Sequence, residues 1–183
     1  WNRFVKLNRT ISFYTYLCLK YRIPPKELYS TIREKFEELF KLKGFKEVYL
    51  EETHTGKFSN KLKEKIPDYR HIVFVFLNEI APDITGFVEK EYQGFTSTEF
   101  VVIEVKNEKI KLDHIYQVKK YAELLNATYA FLVSTEEIPV EIKRLCKEIY
   151  SILSIPRYNK IILVYYNKEQ NSLEDWYPEN PFK

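Results

Sequence analysis

Among its 183 residues the chain has no methionine, two cysteines, three histidines and four glycines. The cysteines, Cys18 and Cys146, lie far apart in apolar surroundings and away from any metal-ligand spacing. They read as reduced core thiols rather than a disulfide framework. His54, His71 and His114 form no pair at zinc-ligand spacing. The glycines gather into neither a phosphate-cradling loop nor a nucleophile elbow. Long hydrophobic runs are missing too. The densest, residues 11–19, is short and broken by Tyr14 and Tyr16, which excludes a membrane span there. No basic-then-apolar leader is visible. The chain starts at Trp1 without methionine, so the initiator and a few further residues are expected to be missing. Reduced thiols and the lack of a leader or span make a cytoplasmic location and no membrane partner the expectation.

What is present suits one α/β domain. A length of 183 residues can bury a sizeable core. The net charge of +3 permits nucleic-acid binding without demanding it. Residues 9–22 carry Ile11, Tyr14, Leu17, Cys18 and Tyr21 at helical spacing and are apolar nearly all round. This N-terminal extension, about 1–23, either packs on its own domain or forms a homodimer contact. Pro24-Pro25 ends it. A helix over 26–43 follows, with Leu28, Ile32, Phe36, Leu39 and Phe40 as its buried stripe and Gly44 as its stop. Strands are predicted at 46–51, 71–77, 84–90, 99–106, 128–134 and 160–166, with a turn at 91–97. Residues 52–68 read as a loop or short helix with a basic face of Lys57, Lys61, Lys63 and Lys65. That face is a solvated surface by default and a phosphate surface as the second reading. Helices are predicted at 113–126, capped by Asp113, and at 139–153, with Pro139 in the first turn. The tail 167–183 has no clear periodicity. Strands interleaved with helices favour a mixed sheet covered by helices.

The chain is organised around residues 81–121. Side chains alternate across a strand, so Val101, Ile103 and Val105 face one way, and Phe100, Val102, Glu104 and Lys106 the other. The second face therefore ends in a carboxylate and an ammonium. Upstream, Pro82-Asp83 leads into a partner strand. Downstream, Gln117 and Tyr121 sit one helical turn apart, beside the stripe of Ile115, Val118, Ala122 and Leu125.

An aspartate, about twenty residues, Glu-x-Lys on a strand, then Gln-x-x-x-Tyr on the next helix resembles the PD-(D/E)XK nuclease superfamily, in its RecB-type branch. The resemblance implies a restriction-endonuclease-like fold, a central mixed β-sheet flanked by α-helices, and a divalent-metal-dependent DNA nuclease. It implies Asp83, Glu104 and the Val105 carbonyl as ligands of Mg²⁺ or Mn²⁺. It casts Lys106 as the amine beside the attacking water, Gln117 as a residue orienting the lysine or binding phosphate, and Tyr121 as its support. DNA is the implied partner. Lys109, Lys111, Lys119 and Lys120 are candidate phosphate contacts, and equally a solvated surface. The two cysteines do not suit the iron–sulfur variety of these nucleases. Such families often place a metal-binding glutamate on the helix here predicted at 26–43; Glu37 and Glu38 flank its stripe and read as solvated charges. Pro67-Asp68 is a second Pro-Asp pair, ranked below Pro82-Asp83 because an apolar run follows it directly. The other function these residues allow is a non-catalytic nucleic-acid-binding module on the same fold. In it Glu104 and Lys106 would be an ordinary ion pair and Asp83 a turn residue.

Overall fold

In the computed structural model of the chain, residues 25–183 are described; the predicted helix at 9–22, the extension and Cys18 lie outside them. Six strands form one mixed sheet in the order β1 to β6: β1 (Glu47–Glu52), β2 (Ile84–Tyr92), β3 (Phe95–Lys106), β4 (Tyr129–Ser134), β5 (Ile161–Asn167) and β6 (Ser172–Tyr177). The outer pairs β1–β2, β2–β3 and β5–β6 are antiparallel, and β3–β4 and β4–β5 are parallel. Parallel neighbours need crossover connections. These contain the helices α4 (Leu112–Leu125) and α5 (Val140–Glu148), while α1 (Pro25–Leu42) precedes the sheet.

The alternation along β3 separates two cores. Val101, Ile103 and Val105 pack with Leu28, Ile32, Phe36 and Phe40 of α1. Phe100 and Val102 pack with Ile115, Val118, Tyr121 and Leu125 of α4. With both faces covered, β4 is apolar and fully buried from Ala130 to Val133. Gly44, at φ +89°, stops α1 in the left-handed conformation that suits glycine.

Four boundaries or elements differ from the sequence reading. The strand predicted at 71–77 is helical. A 3-10 turn at Asp68–Arg70 leads into α3 (Val73–Leu77), and Phe74 and Leu77 point into the core while Ile72, Val75 and Phe76 stay exposed. A spacing of three between the buried residues is helical, and a short apolar run does not show it by pattern alone. The sheet also has no place for this strand, because β1 already occupies the edge of β2. Asp113 is not the cap of α4. The helix starts at Leu112, and the ring of His114 accepts a hydrogen bond from the backbone N–H of Lys111 at 3.2 Å. The helix predicted at 139–153 ends at Glu148 and gives way to a 3-10 turn at Tyr150–Ile152. The tail supplies β6. A register shift between Leu163 and Tyr165, with Asp175 at φ +46°, breaks its alternation and hides it from periodicity. Trp176 and Phe182 of this tail pack on Phe36 and Phe131. The basic segment 52–68 contains one short helix, α2 (Asn60–Lys63).

Candidate active site

Asp83 lies just before β2, and its backbone is pinned from outside the strand. Thr53 donates its hydroxyl to the Pro82 carbonyl at 2.7 Å and its N–H to the Asp83 carbonyl at 2.8 Å. The β2–β3 register pairs Ile84 with Ile103. Continued by one residue, it sets Asp83 opposite Glu104, where side chains on one face are roughly 5 Å apart at Cβ. Asp83 Oδ2 accepts the Val105 N–H at 2.8 Å. The Tyr29 hydroxyl, from the other face of the sheet, also donates to Asp83.

Glu104 is 3% exposed. Its Oε1 accepts from the Lys106 amine at 2.7 Å, while its buried Oε2 has no partner. Burial, and then the charge of Asp83, push the Glu104 carboxyl up to about 7, against the pull of Lys106 and of the Asp83 backbone N–H. Burial also raises Asp83, with Tyr29 and the Val105 N–H opposing it. Two buried acids thus face each other with less cation than they need.

From α4, Gln117 donates its amide to the Tyr121 hydroxyl at 2.8 Å. Burial raises the Tyr121 phenol to about 12, eased by that bond and reinforced by the charges of Glu104 and Asp83. The glutamine and tyrosine therefore stand within electrostatic reach of the acids. The Gln117 amide is bonded to Tyr121, and the Lys106 amine to Glu104.

The four surface lysines divide. Lys109 is exposed. Lys111 pairs with Glu108 at 2.5 Å, Lys119 donates to the Ser151 carbonyl at 2.8 Å, and Lys120 lies 5.9 Å from the centre of the Tyr121 ring. Glu37 is tied to Arg33 at 2.8 Å and Glu38 is exposed. Asp68 has a fully exposed side chain beside His71, remote in character from the buried acid pair.

Two residues of the site escaped the sequence reading. Tyr29 lies on the apolar stripe of α1, where it reads as core; the signal was its hydroxyl, since a buried tyrosine needs a partner. His54 has a buried Nδ1 without a partner, and its ring centre is 5.0 Å from that of Tyr29. Its charge also bears on Asp83. Nothing in its spacing announced it.

Among the described residues no group of three or more His, Cys, Asp or Glu is placed to hold a metal. Mg²⁺ is usually bound through one or two protein carboxylates, with water and phosphate completing its shell. Asp83 and Glu104, with the unpartnered Oε2, fit a hard divalent cation of that kind. No family model, curated protein or solved structure matches the chain.

Proposed function

We propose that the chain is a divalent-metal-dependent DNA nuclease of the PD-(D/E)XK type, with Asp83, Glu104 and Lys106 as its catalytic core. The observation that carries this is the Glu104 Oε2: a buried, unpartnered carboxylate oxygen, set opposite a second buried acid and beside an amine. A buried acid normally takes a partner or stays neutral. A divalent cation held by the two acids would remove the conflict, and a DNA phosphate would complete its shell.

A bound Mg²⁺ or Mn²⁺ would polarise the scissile phosphate and lower the pKa of a coordinated water. Asp83 and Glu104 would hold it, with the Val105 carbonyl as a further oxygen donor. The Val105 N–H and the Tyr29 hydroxyl fix the Asp83 carboxylate, so the ligand is oriented before any cation arrives. Lys106 brings a positive charge to Glu104 Oε1. Its amine would stabilise negative charge developing on phosphate oxygens bound beside the acids. Gln117, anchored by Tyr121, would offer its amide group to a phosphate or the attacking water. Lys109 and Lys120 are available for backbone phosphates.

The Lys106–Glu104 pair also suits a second reading. It is a formed ion pair at 2.7 Å, as expected of a nucleic-acid-binding module without turnover. One experiment separates the two. Linear, circular, single-stranded and branched DNA are incubated with the protein, with and without Mg²⁺ or Mn²⁺. Metal-dependent cleavage that Asp83→Ala and Glu104→Ala abolish supports the nuclease. Binding without cleavage on every substrate, indifferent to the metal, supports the module.

A further inference from the structure

The N-terminal ends of β4 and β5 bear a second chemically distinct surface. A cleft of about 340 Å³ is lined there by Tyr129, Tyr150, Tyr158, Lys160 and Glu179, among others. Tyr129 pairs with Val101, three residues before Glu104 on β3, which is about 10 Å along the strands from the acid pair.

Three independent features meet at this cleft. Tyr158 is wholly exposed and Tyr150 is 69% exposed, so two aromatic rings are left in water. Arg157 and Tyr158 both have positive φ, 61° and 62°. Bulky residues avoid this conformation, and consecutive ones persist only where the surroundings impose it. The surroundings do so here: Ile155 N–H bonds the Asn159 carbonyl at 3.0 Å, Ile161 N–H bonds the Leu153 carbonyl at 2.8 Å, and Ser154 bridges Lys160. The closed loop holds Tyr158 outward. Third, cations accompany the rings. The Lys160 amine lies 5.0 Å from the centre of the Tyr150 ring, and Arg157 precedes Tyr158 in the strained pair. Glu179 is the acid at the cleft wall, and Tyr129 is engaged through its hydroxyl with Glu99.

We infer that this cleft is a binding site for single-stranded DNA, with bases stacking on Tyr150 and Tyr158 and the backbone running past Lys160 and Arg157. Exposed rings interleaved with cations are the chemistry of sequence-tolerant single-strand binding, because every base offers a π face and every linkage a charge. Duplex DNA keeps its bases stacked on each other and cannot use the rings. The inference shares with the nuclease reading only that the chain meets nucleic acid, and it needs no cleavage.

The test is fluorescence anisotropy of the full chain with labelled dT12 and with a duplex of equal length, both in EDTA so that no metal chemistry intervenes. Tyr150→Ala and Tyr158→Ala are each expected to weaken dT12 binding about tenfold and duplex binding less than twofold, with the salt dependence unchanged. Tyr150→Phe, which keeps the ring, retains dT12 affinity. Lys160→Ala lowers the slope of log affinity against log salt by about 0.7. Wild-type protein that fails to bind dT12 overturns the inference. So does a Tyr150→Ala/Tyr158→Ala double variant, folded by circular dichroism, that binds dT12 as wild type does, or that loses single-strand and duplex binding equally. A protein that never cleaves DNA leaves these outcomes intact, and loss of stacking leaves cleavage at the acid pair open to its own assay.

Discussion

Glu89 and Glu104 lie on the same β2–β3 ribbon, are 8% and 3% exposed, and each has a lysine amine 2.7 Å away. Their surroundings otherwise differ. Glu89 takes both the Lys65 amine and, across the strands, the Thr98 hydroxyl on Oε1, each at 2.7 Å. Burial pushes its carboxyl up, but these partners outweigh burial and hold it below the usual range. Glu104 has Lys106 on one oxygen, nothing on the other, and Asp83 opposite. One glutamate is an ion pair reinforced by a hydroxyl. The other is a site left short of positive charge. A lysine amine 2.7 Å away therefore does not distinguish the two acids; a buried carboxylate oxygen left without a partner does.

This contrast is sharpened most by cleavage. Several kcal/mol of transition-state stabilisation depend on a carboxylate-held cation, so Asp83→Ala and Glu104→Ala should each slow metal-dependent DNA cleavage by about a thousandfold or more. Lys106→Ala should lose about a hundredfold or more and still bind metal, since an ammonium is no ligand. Glu89→Ala should leave the rate within about twofold. Single-turnover assays on the four variants check this, and a Glu89→Ala rate as low as that of Glu104→Ala would erase the distinction.

Stability should move in the opposite sense. Burial and the Asp83 charge push the Glu104 carboxyl up to about 7 in the folded protein, against 4.5 for the free group. The folded state therefore holds the extra proton between those values and loses stability as pH rises through the window. Glu104→Gln should raise the melting temperature of metal-free protein by about 5 °C at pH 8 and by little near pH 4.5. Glu89 has a lowered pKa, so its contribution is present above pH 4.5 and fades as pH falls below it. Glu89→Gln should cost about 1 kcal/mol at pH 8, a drop of a few degrees. Melting curves of both variants at both pH values check the crossed pattern.

The smallest effect belongs to Tyr29. Its hydroxyl donates to Asp83 and would act only through that carboxylate. Tyr29→Phe should raise the metal concentration needed for half-maximal cleavage about tenfold, with the rate at saturating metal within about threefold. A large fall in the saturated rate would make Tyr29 more than a positioning residue.

Much of the frame was legible in the chain. Strand β3 announced itself by β-branched alternation, and the alternation assigned its faces correctly, Val101, Ile103 and Val105 toward α1 and Phe100 and Val102 toward α4. Pro82-Asp83 and Glu104-Val105-Lys106 stood out because polar groups interrupt apolar strands. The misses share a cause, namely a local signal with two solutions that only tertiary packing separates. The run His71 to Leu77 has β-rich composition, yet Phe74 and Leu77 need one helical face. Strand β6 lacks alternation because of its irregular pairing with β5. Tyr29 is indistinguishable from a core aromatic until Asp83 is found beside it, and His54 until its Nδ1 proves buried and without a partner.

Isothermal titration of Mn²⁺ into the DNA-free protein bears most directly on the pairing of Asp83 with Glu104. Wild-type chain and Glu89→Gln should each bind one ion per chain, while Asp83→Asn and Glu104→Gln, folded as wild type by circular dichroism, should bind none at the same concentrations. Absence of binding to the wild type, or equal binding to Asp83→Asn and Glu104→Gln, would contradict a cation site between these two acids.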